Sequence, residues 1–243
     1  MKIIESINNP YIKILDKLHD KKYRDQAQKF LIEGYHLVEE AKKSNLLLQV
    51  LITSEGDYQD GVENIYVNEA IINKLSFTKS PQKIIGVCRY FDEYSVSGKH
   101  FVLLDDLQDP GNVGTIVRSS LGFNVDMVVL GLNSVDIYND KFIRSTQGAI
   151  FNVKIIKRDL FEVIDLLKQK GIKIIGTEIT KGIELNDLPK YPEFALILGN
   201  EGNGIRPEIL KTTDVNVYIK TNEQLESLNV AVAGGIILHH LNI

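Results

Sequence analysis

A single cysteine, Cys88, stands in this chain of 243 residues. One thiol excludes an intramolecular disulfide and any cysteine-rich zinc module, and it fits a reducing compartment, so a cytoplasmic address is expected. Residues 1–10 lack the apolar core of a signal peptide, and no apolar run approaches the ~20 residues needed to cross a bilayer. Both facts argue against secreted and membrane roles. A basic excess is missing too: 28 Lys and Arg against 32 Asp and Glu leave a formal net charge of −4. Proteins that coat nucleic acid through bulk electrostatics carry the opposite balance, and no DNA partner is expected. The five histidines, His19, His36, His100, His239 and His240, show no metal-ligand spacing of the H-E-x-x-H kind. Asp105, Asp106, Asp109, Asp136 and Asp140 read as strand-end turn residues rather than a Mg²⁺ cluster, so no metal is expected. Low-complexity tracts and internal repeats are also lacking.

What is present is a chain with 44% hydrophobic residues, enough to bury more than one core. Residues 10–19 are amphipathic with Ile12, Ile14, Leu15 and Leu18 apolar, 30–33 are extended, and 35–43 are helical again. Residues 46–53 form an almost unbroken apolar run suited to a buried strand, 69–75 a short helix and 84–90 another strand. These compose a small α/β domain. Residues 92–99 have the polar, small-residue makeup of a linker, which places the boundary between a domain of residues 1–95 and one of residues 96–243. Beyond it, strand-like runs at 101–107, 127–132, 153–156, 173–178, 194–198 and 215–219 alternate with helical ones. That pattern predicts a mostly parallel sheet with helices on both faces, whose chemistry sits in the loops beyond the carboxyl ends of the strands.

Three segments carry candidate chemistry. In the first, Leu103-Leu104-Asp105-Asp106-Leu107-Gln108-Asp109-Pro110-Gly111-Asn112-Val113-Gly114 runs from a strand through a Pro-Gly turn into a helix expected to begin near, and be capped by, Asn112. Arg118 follows Gly114 by one helical turn with no side chain above it, and a guanidinium under a helix start favours an anion such as phosphate. In the second, Phe194-Ala195-Leu196-Ile197-Leu198 runs into Gly199-Asn200-Glu201-Gly202-Asn203-Gly204, where glycines let backbone approach a ligand closely. The glycine order matches neither the dinucleotide fingerprint nor a P-loop. In the third, Ser227 is a favourable N-cap for an apolar helix with Gly234 and Gly235 at its middle, predicted to be buried on every side. Two mid-helix glycines cost about 1 kcal/mol each relative to alanine, so a crossing backbone or a ligand must approach there.

In this order and spacing, the three segments resemble the motifs of the SpoU, or TrmH-like, RNA 2′-O-methyltransferases of the SPOUT superfamily. Arg144-Ser145-Thr146-Gln147-Gly148-Ala149 resembles a further short segment of that family. The first domain, with Phe30-Leu31-Ile32-Glu33-Gly34 and Val38-Glu39-Glu40-Ala41, is similar to the L30e-like substrate-binding domain of its ribosomal RNA members. The resemblance implies a trefoil knot in the C-terminal domain, a homodimer, S-adenosylmethionine as cofactor and RNA, ribosomal RNA first, as partner. It implies catalytic roles for Asn112, Arg118, Glu201, Ser227 and Asn229, and cofactor contacts near Thr177, Leu198, Gly199, Ile219 and Leu228. Where the family usually has a Pro-Met pair, this chain has Ile219-Lys220-Thr221. Arginine is protonated at any working pH, so Arg118 is expected to act electrostatically rather than as a literal base. RNA contact also gives a use to Lys13, Lys17, Lys21, Lys22, Arg24, Lys29, Lys42 and Lys43, which on charge alone read as a solvated surface. The alternatives are a transfer RNA 2′-O-methyltransferase and a non-catalytic RNA- or ribosome-binding relative.

Overall fold

The computed structural model describes residues 2–178, 181–200, 202–222, 224–225 and 227–242. The chain separates into two compact units. The first holds Met1–Asp92 together with Tyr138–Phe151, and the second holds Glu93–Ile137 with Asn152–Ile243.

The first unit contains, in chain order, β1 (Lys2–Ile4), α1 (Pro10–Asp16), α2 (Lys21–Ala27), β2 (Lys29–Glu33), α3 (Tyr35–Lys43), β3 (Leu47–Ile52), β4 (Glu63–Val67), α4 (Glu69–Leu75) and β5 (Ile84–Arg89). Its mixed sheet has the order β1-β4-β3-β5-β2, with β5 antiparallel to both β3 and β2. Ile12 and Leu15 of α1 and Ile71, Ile72 and Leu75 of α4 cover one face, against Leu31, Leu51, Ile65 and Ile85. The buried carboxylate of Glu33, at the end of β2, accepts hydrogen bonds from Ser76 Oγ (2.9 Å), Phe77 N (3.0 Å), Thr78 Oγ1 (2.8 Å) and Gln82 N (2.9 Å). One side chain thereby shapes the whole connection from α4 to β5. The outlying segment is held by aromatic contact: the Tyr138 ring stacks on Tyr90 at 3.6 Å and lies 5.0 Å from Phe30. Its hydroxyl accepts from the Phe91 backbone N–H at 3.0 Å.

The second unit contains β6 (His100–Asp105), α5 (Pro110–Gly122), β7 (Met127–Leu130), β8 (Lys154–Lys157), α7 (Leu160–Gln169), β9 (Lys173–Thr177), β10 (Ile183–Glu184), β11 (Phe194–Gly199), α8 (Pro207–Leu210), β12 (Val215–Tyr218) and α9 (Val230–Leu241), while the intervening α6 (Asp140–Ser145) belongs to the first unit. Seven strands form one sheet, β10-β12-β9-β11-β6-β7-β8, and every pairing is parallel. Parallel strands covered on both faces must be apolar at every position, which is why β11 reads Phe-Ala-Leu-Ile-Leu without a polar break. Phe101, Leu103, Ala195 and Ile197 pack on one side with α7 and Ile209 of α8. On the other side α9 lies against β11 and α5. No helix among the described residues is long and apolar enough to cross a membrane.

Three expectations are corrected. Helix α5 starts at Pro110 and is capped by Asp109, whose Oδ1 accepts from Asn112 N at 2.8 Å. Proline fits that first position because its missing N–H would be unpaired there in any case. Helix α9 is capped by Asn229, two residues after Ser227, through Ala231 N (2.9 Å) and Val232 N (3.3 Å). Nor is α9 buried on every side: Val232 is 51% and Ile236 40% exposed, because no element among the described residues covers that stripe.

Candidate functional site

Parallel strands put all their carboxyl ends on one edge, and here the register makes them end together. Gly199 of β11 is paired with Asp105 of β6, and Thr177 of β9 with Val217 of β12. Thr177 Oγ1 donates to the Ile197 carbonyl at 3.3 Å, so its hydroxyl is committed to the sheet.

From this edge two helices start side by side. Asn229 uses its Oδ1 to cap α9 and its Nδ2 to donate to Asn112 Oδ1 at 2.9 Å. A Cβ on Gly234 would lie 2.7 Å from Leu198 Cδ1, so the absence of a side chain there lets α9 settle onto β11. Gly235 faces Ser119 Oγ of α5, which a Cβ would meet at 3.7 Å, an ordinary contact.

The loop after β11 closes on itself. Asn200 N donates to Gly204 O at 3.0 Å, Gly204 N returns the bond to Asn200 O at 2.8 Å, and Gly202 N donates to Asn200 Oδ1 at 2.9 Å. A Cβ on Gly199 would fall on the backbone carbon of Gly204, so only glycine permits this turn. Beyond the loop, Arg206 donates to the buried Asp105 carboxylate twice, from its backbone N and from Nε, each at 2.8 Å. Burial works against the Arg206 guanidinium's charge, yet the hydrogen bond and charge of Asp105, with Asp106 and Glu208 adding to it, outweigh that effect and hold its pKa above the arginine norm.

The structure thus brings Asn112 and Asn229 into contact and sets Thr177, Leu198 and Gly199 on the same edge of the sheet. Ile219 and Leu228, both half-buried, follow β12 and precede α9. Ser227 is exposed and caps nothing. Arg118 lies six residues beyond Asn112 along α5, about 9 Å at the helical rise, with an exposed side chain. Among the described residues it makes no ion pair. Glu201 lies outside the described residues. Motif reasoning missed Arg206, whose partner is 101 positions away. Of the five aspartates read as turn residues, Asp105 is engaged by Arg206, Asp106 by Asn133 Nδ2 at 3.2 Å, Asp109 as a cap and Asp140 by Arg144 at 2.9 Å, while Asp136 is half-buried.

The sequence model of the SpoU rRNA Methylase family matches residues 99–239. The chain belongs to this family. Residues 9–86 match the MRM3-like substrate binding domain. The chain is similar to the 23S rRNA (guanosine(2553)-2′-O)-methyltransferase RlmP of Bacillus subtilis, 40% identical over 99% of both chains. Among solved structures, the AdoMet-bound rRNA methyltransferase of Sinorhizobium meliloti superimposes with a TM-score of 0.88 at 26% identity, covering 99% of this chain and 97% of that one. A putative TrmH-family RNA methyltransferase of Porphyromonas gingivalis gives 0.88 at 29% identity, over 98% of both. Each of these likenesses runs through both compact units.

Proposed function

We propose that the chain transfers a methyl group from S-adenosylmethionine to the 2′-hydroxyl of a ribose in ribosomal RNA, at the 23S guanosine named for its Bacillus relative. The observation that carries this reading is the Asn112–Asn229 contact at the carboxyl edge of the parallel sheet, beside the Gly199 loop. The first domain, residues 1–95, holds RNA, and the second, residues 96–243, carries out the transfer in the cytoplasm.

The residues at the sheet edge fit the cofactor. Ile219 and Leu228 are partly open apolar walls, and Gly199, Gly202 and Gly204 supply backbone without side chains beside them. Thr177 and Leu198 floor the same edge. When bound there, the cofactor supplies a methyl group on a positively charged sulfur. The ribose 2′-oxygen would accept that methyl group, leaving the cofactor a neutral thioether, and the hydroxyl proton would pass to water.

This chain's residues have three tasks in that step. Asn112 and Asn229, fixed by each other and by two helix caps, orient ribose and cofactor together with Ser227, and Glu201 has the task of positioning Arg118 or the loop after β11. Arg118 binds the adjoining phosphate and stabilises charge building on the 2′-oxygen. Alignment of the reacting groups then supplies most of the acceleration. The chain further acts as a homodimer, supported by the exposed stripe of Val232 and Ile236 on α9 and Leu121 on α5, 41% exposed. Arg118 stands one turn before Leu121 on that helix. The return of α9 from the far strand β12 to β11 and α5 supports a trefoil knot, in which the last helix passes through a loop.

Calorimetry with S-adenosylmethionine, followed by radiolabelled methyl transfer to unmethylated ribosomal RNA and to transfer RNA, tests the assignment. Binding and transfer to ribosomal RNA are expected, with Arg118→Ala folded and inactive. Binding without transfer favours the non-catalytic relative, transfer RNA labelling favours the other substrate, and full activity in Arg118→Ala rejects its role. Light scattering of Val232→Glu with Ile236→Glu checks the dimer; a wild-type monomer with intact activity removes it.

A further inference from the structure

The loop Gly199–Gly204 is fastened to the end of β6 at both of its own ends. At its entry, Asn200 Nδ2 donates to the Asp106 carbonyl at 3.1 Å, an oxygen aimed there by the left-handed backbone of Asp106, φ +56°. At its exit, Arg206 engages both carboxylate oxygens of Asp105. Between these points the loop is stitched by the reciprocal Asn200–Gly204 bonds. The result is a closed circuit of hydrogen bonds running from β6 out through the loop and back.

Asp105 is 1% exposed, so its charge sits in the sheet with Arg206 as its ionic partner; Asp106 Oδ2 is 4.0 Å from the same Nε. The hydrophobic cluster around α7 and α8 in this unit is apolar throughout, and an apolar pair would fill the position at lower desolvation cost. One bond from the Arg206 backbone N–H and one from its guanidinium Nε, ending on the two oxygens of a single carboxylate, achieve what apolar packing does not: together they fix direction and distance. Lysine would keep the backbone bond, but its point charge on a flexible stem has no equivalent of the fixed Nε bond.

We propose that Asp105 and Arg206 are positioning residues for cofactor binding, holding the Gly199–Gly204 loop at the distance from β6 at which its backbone lines the S-adenosylmethionine slot. The proposal rests on the methyltransferase reading above. Neither side chain is assigned a contact with the reacting atoms. Their effect reaches the cofactor through the loop.

Arg206→Lys, Asp105→Asn and the double variant test it, at a temperature well below unfolding, by three readouts. Amide hydrogen exchange at Gly202 and Gly204 without ligand reports the clamp. Calorimetry reports the dissociation constant for S-adenosylmethionine, and steady-state rates separate KM from kcat. Each single variant is expected to lose loop protection and bind the cofactor about tenfold more weakly, the scale of one charge-assisted hydrogen bond. The KM for S-adenosylmethionine rises in step while kcat at saturation stays within about twofold, the signature of lost ground-state binding. The double variant is no worse than the weaker single, since both remove one interaction. Loop protection lost with cofactor affinity unchanged, or a loss confined to kcat, or losses that add, overturns the positioning role. Wild-type protein that binds no S-adenosylmethionine overturns the methyltransferase reading and this proposal with it, whereas wild-type binding with unaltered variants overturns this proposal alone.

Discussion

Asn229 donates its side-chain amide to Asn112 across 2.9 Å, joining the first turns of two helices 117 residues apart in the chain. The same Asn229 caps its own helix, so one side chain serves both stability and geometry. Asn229→Ala is expected to cost about 1 kcal/mol through the cap and to abolish the bridge. Asn229→Asp keeps the cap acceptor but sets a carboxylate against Asn112 Oδ1. Thermal unfolding is expected to separate the two: the Asp variant melts close to wild type, yet methyl transfer falls by roughly 10²-fold, as for a small misplacement of reacting groups. Wild-type rates in Asn229→Asp would remove the ribose-orienting role.

Adjacent glycines in α9 should respond in opposite ways. Gly235→Ala meets only Ser119 Oγ at 3.7 Å and gains up to about 1 kcal/mol of helix propensity. Gly234→Ala drives a methyl to 2.7 Å from Leu198 Cδ1 inside a packed core, an overpacking cost of about 1–3 kcal/mol. Chemical denaturation midpoints should therefore rise or hold for the first and fall for the second. Equal shifts would mean that α9 does not rest on β11 as described.

Glu33 makes the first unit acid-sensitive. Burial, the largest influence, pushes its pKa up, but the hydrogen bonds from Gln82, Thr78, Phe77 and Ser76 prevail and hold it below the ordinary carboxylate value. A lowered folded-state pKa contributes stability that is fully present above the unfolded value of about 4.3 and is lost as pH falls through the folded one. Glu33→Gln cannot satisfy four donors and should cost roughly 2–4 kcal/mol at pH 7. Urea midpoints measured from pH 7 down to pH 3 should fall more steeply for wild type than for Glu33→Gln; parallel curves would assign the acid lability elsewhere.

Much of the basic stretch in the first unit is already spoken for. Lys21 pairs with Asp25 at 2.7 Å, Lys43 with Glu39 and Glu40, and Arg24 is buried with its Nη1 on the Leu18 and His19 carbonyls. Lys17 and Lys22 instead lie 5.2 and 6.0 Å from the Tyr23 ring, exposed on one surface. Replacing both by alanine should weaken RNA binding and flatten its log–log salt dependence by about 0.7–0.9 per lysine. An unchanged slope would place the RNA on another face.

The parallel sheet was legible because burial on both faces leaves an unbroken apolar run, and each strand expected from residue 101 onward lies within two residues of its observed bounds. In the first unit, β1, β4 and α2 went unread: Lys-Ile-Ile is three residues long, Glu-Asn-Ile-Tyr-Val is short and half polar, and Lys-Lys-Tyr-Arg-Asp-Gln-Ala has no apolar stripe. The site was legible as three glycine- and asparagine-bearing segments, but not as a set of contacts. Capping by Asp109 and Asn229 rather than Asn112 and Ser227 turns on where the helices begin, and boundaries depend on local competition among several capable side chains. The Arg206 bond to Asp105 leaves no periodic trace in the chain. Nor does the lodging of residues 138–151 among the aromatics of the first unit.

That lodging bears on how the protein can be dissected. A fragment ending at Asp92 would lack Tyr138, leaving one face of Tyr90 bare, the Phe91 N–H without its acceptor and a side of Phe30 open to water. Expressed alone it would be greasy at that spot and prone to stick to itself. An excised binding module worth making would graft the later peptide back on through a short tether.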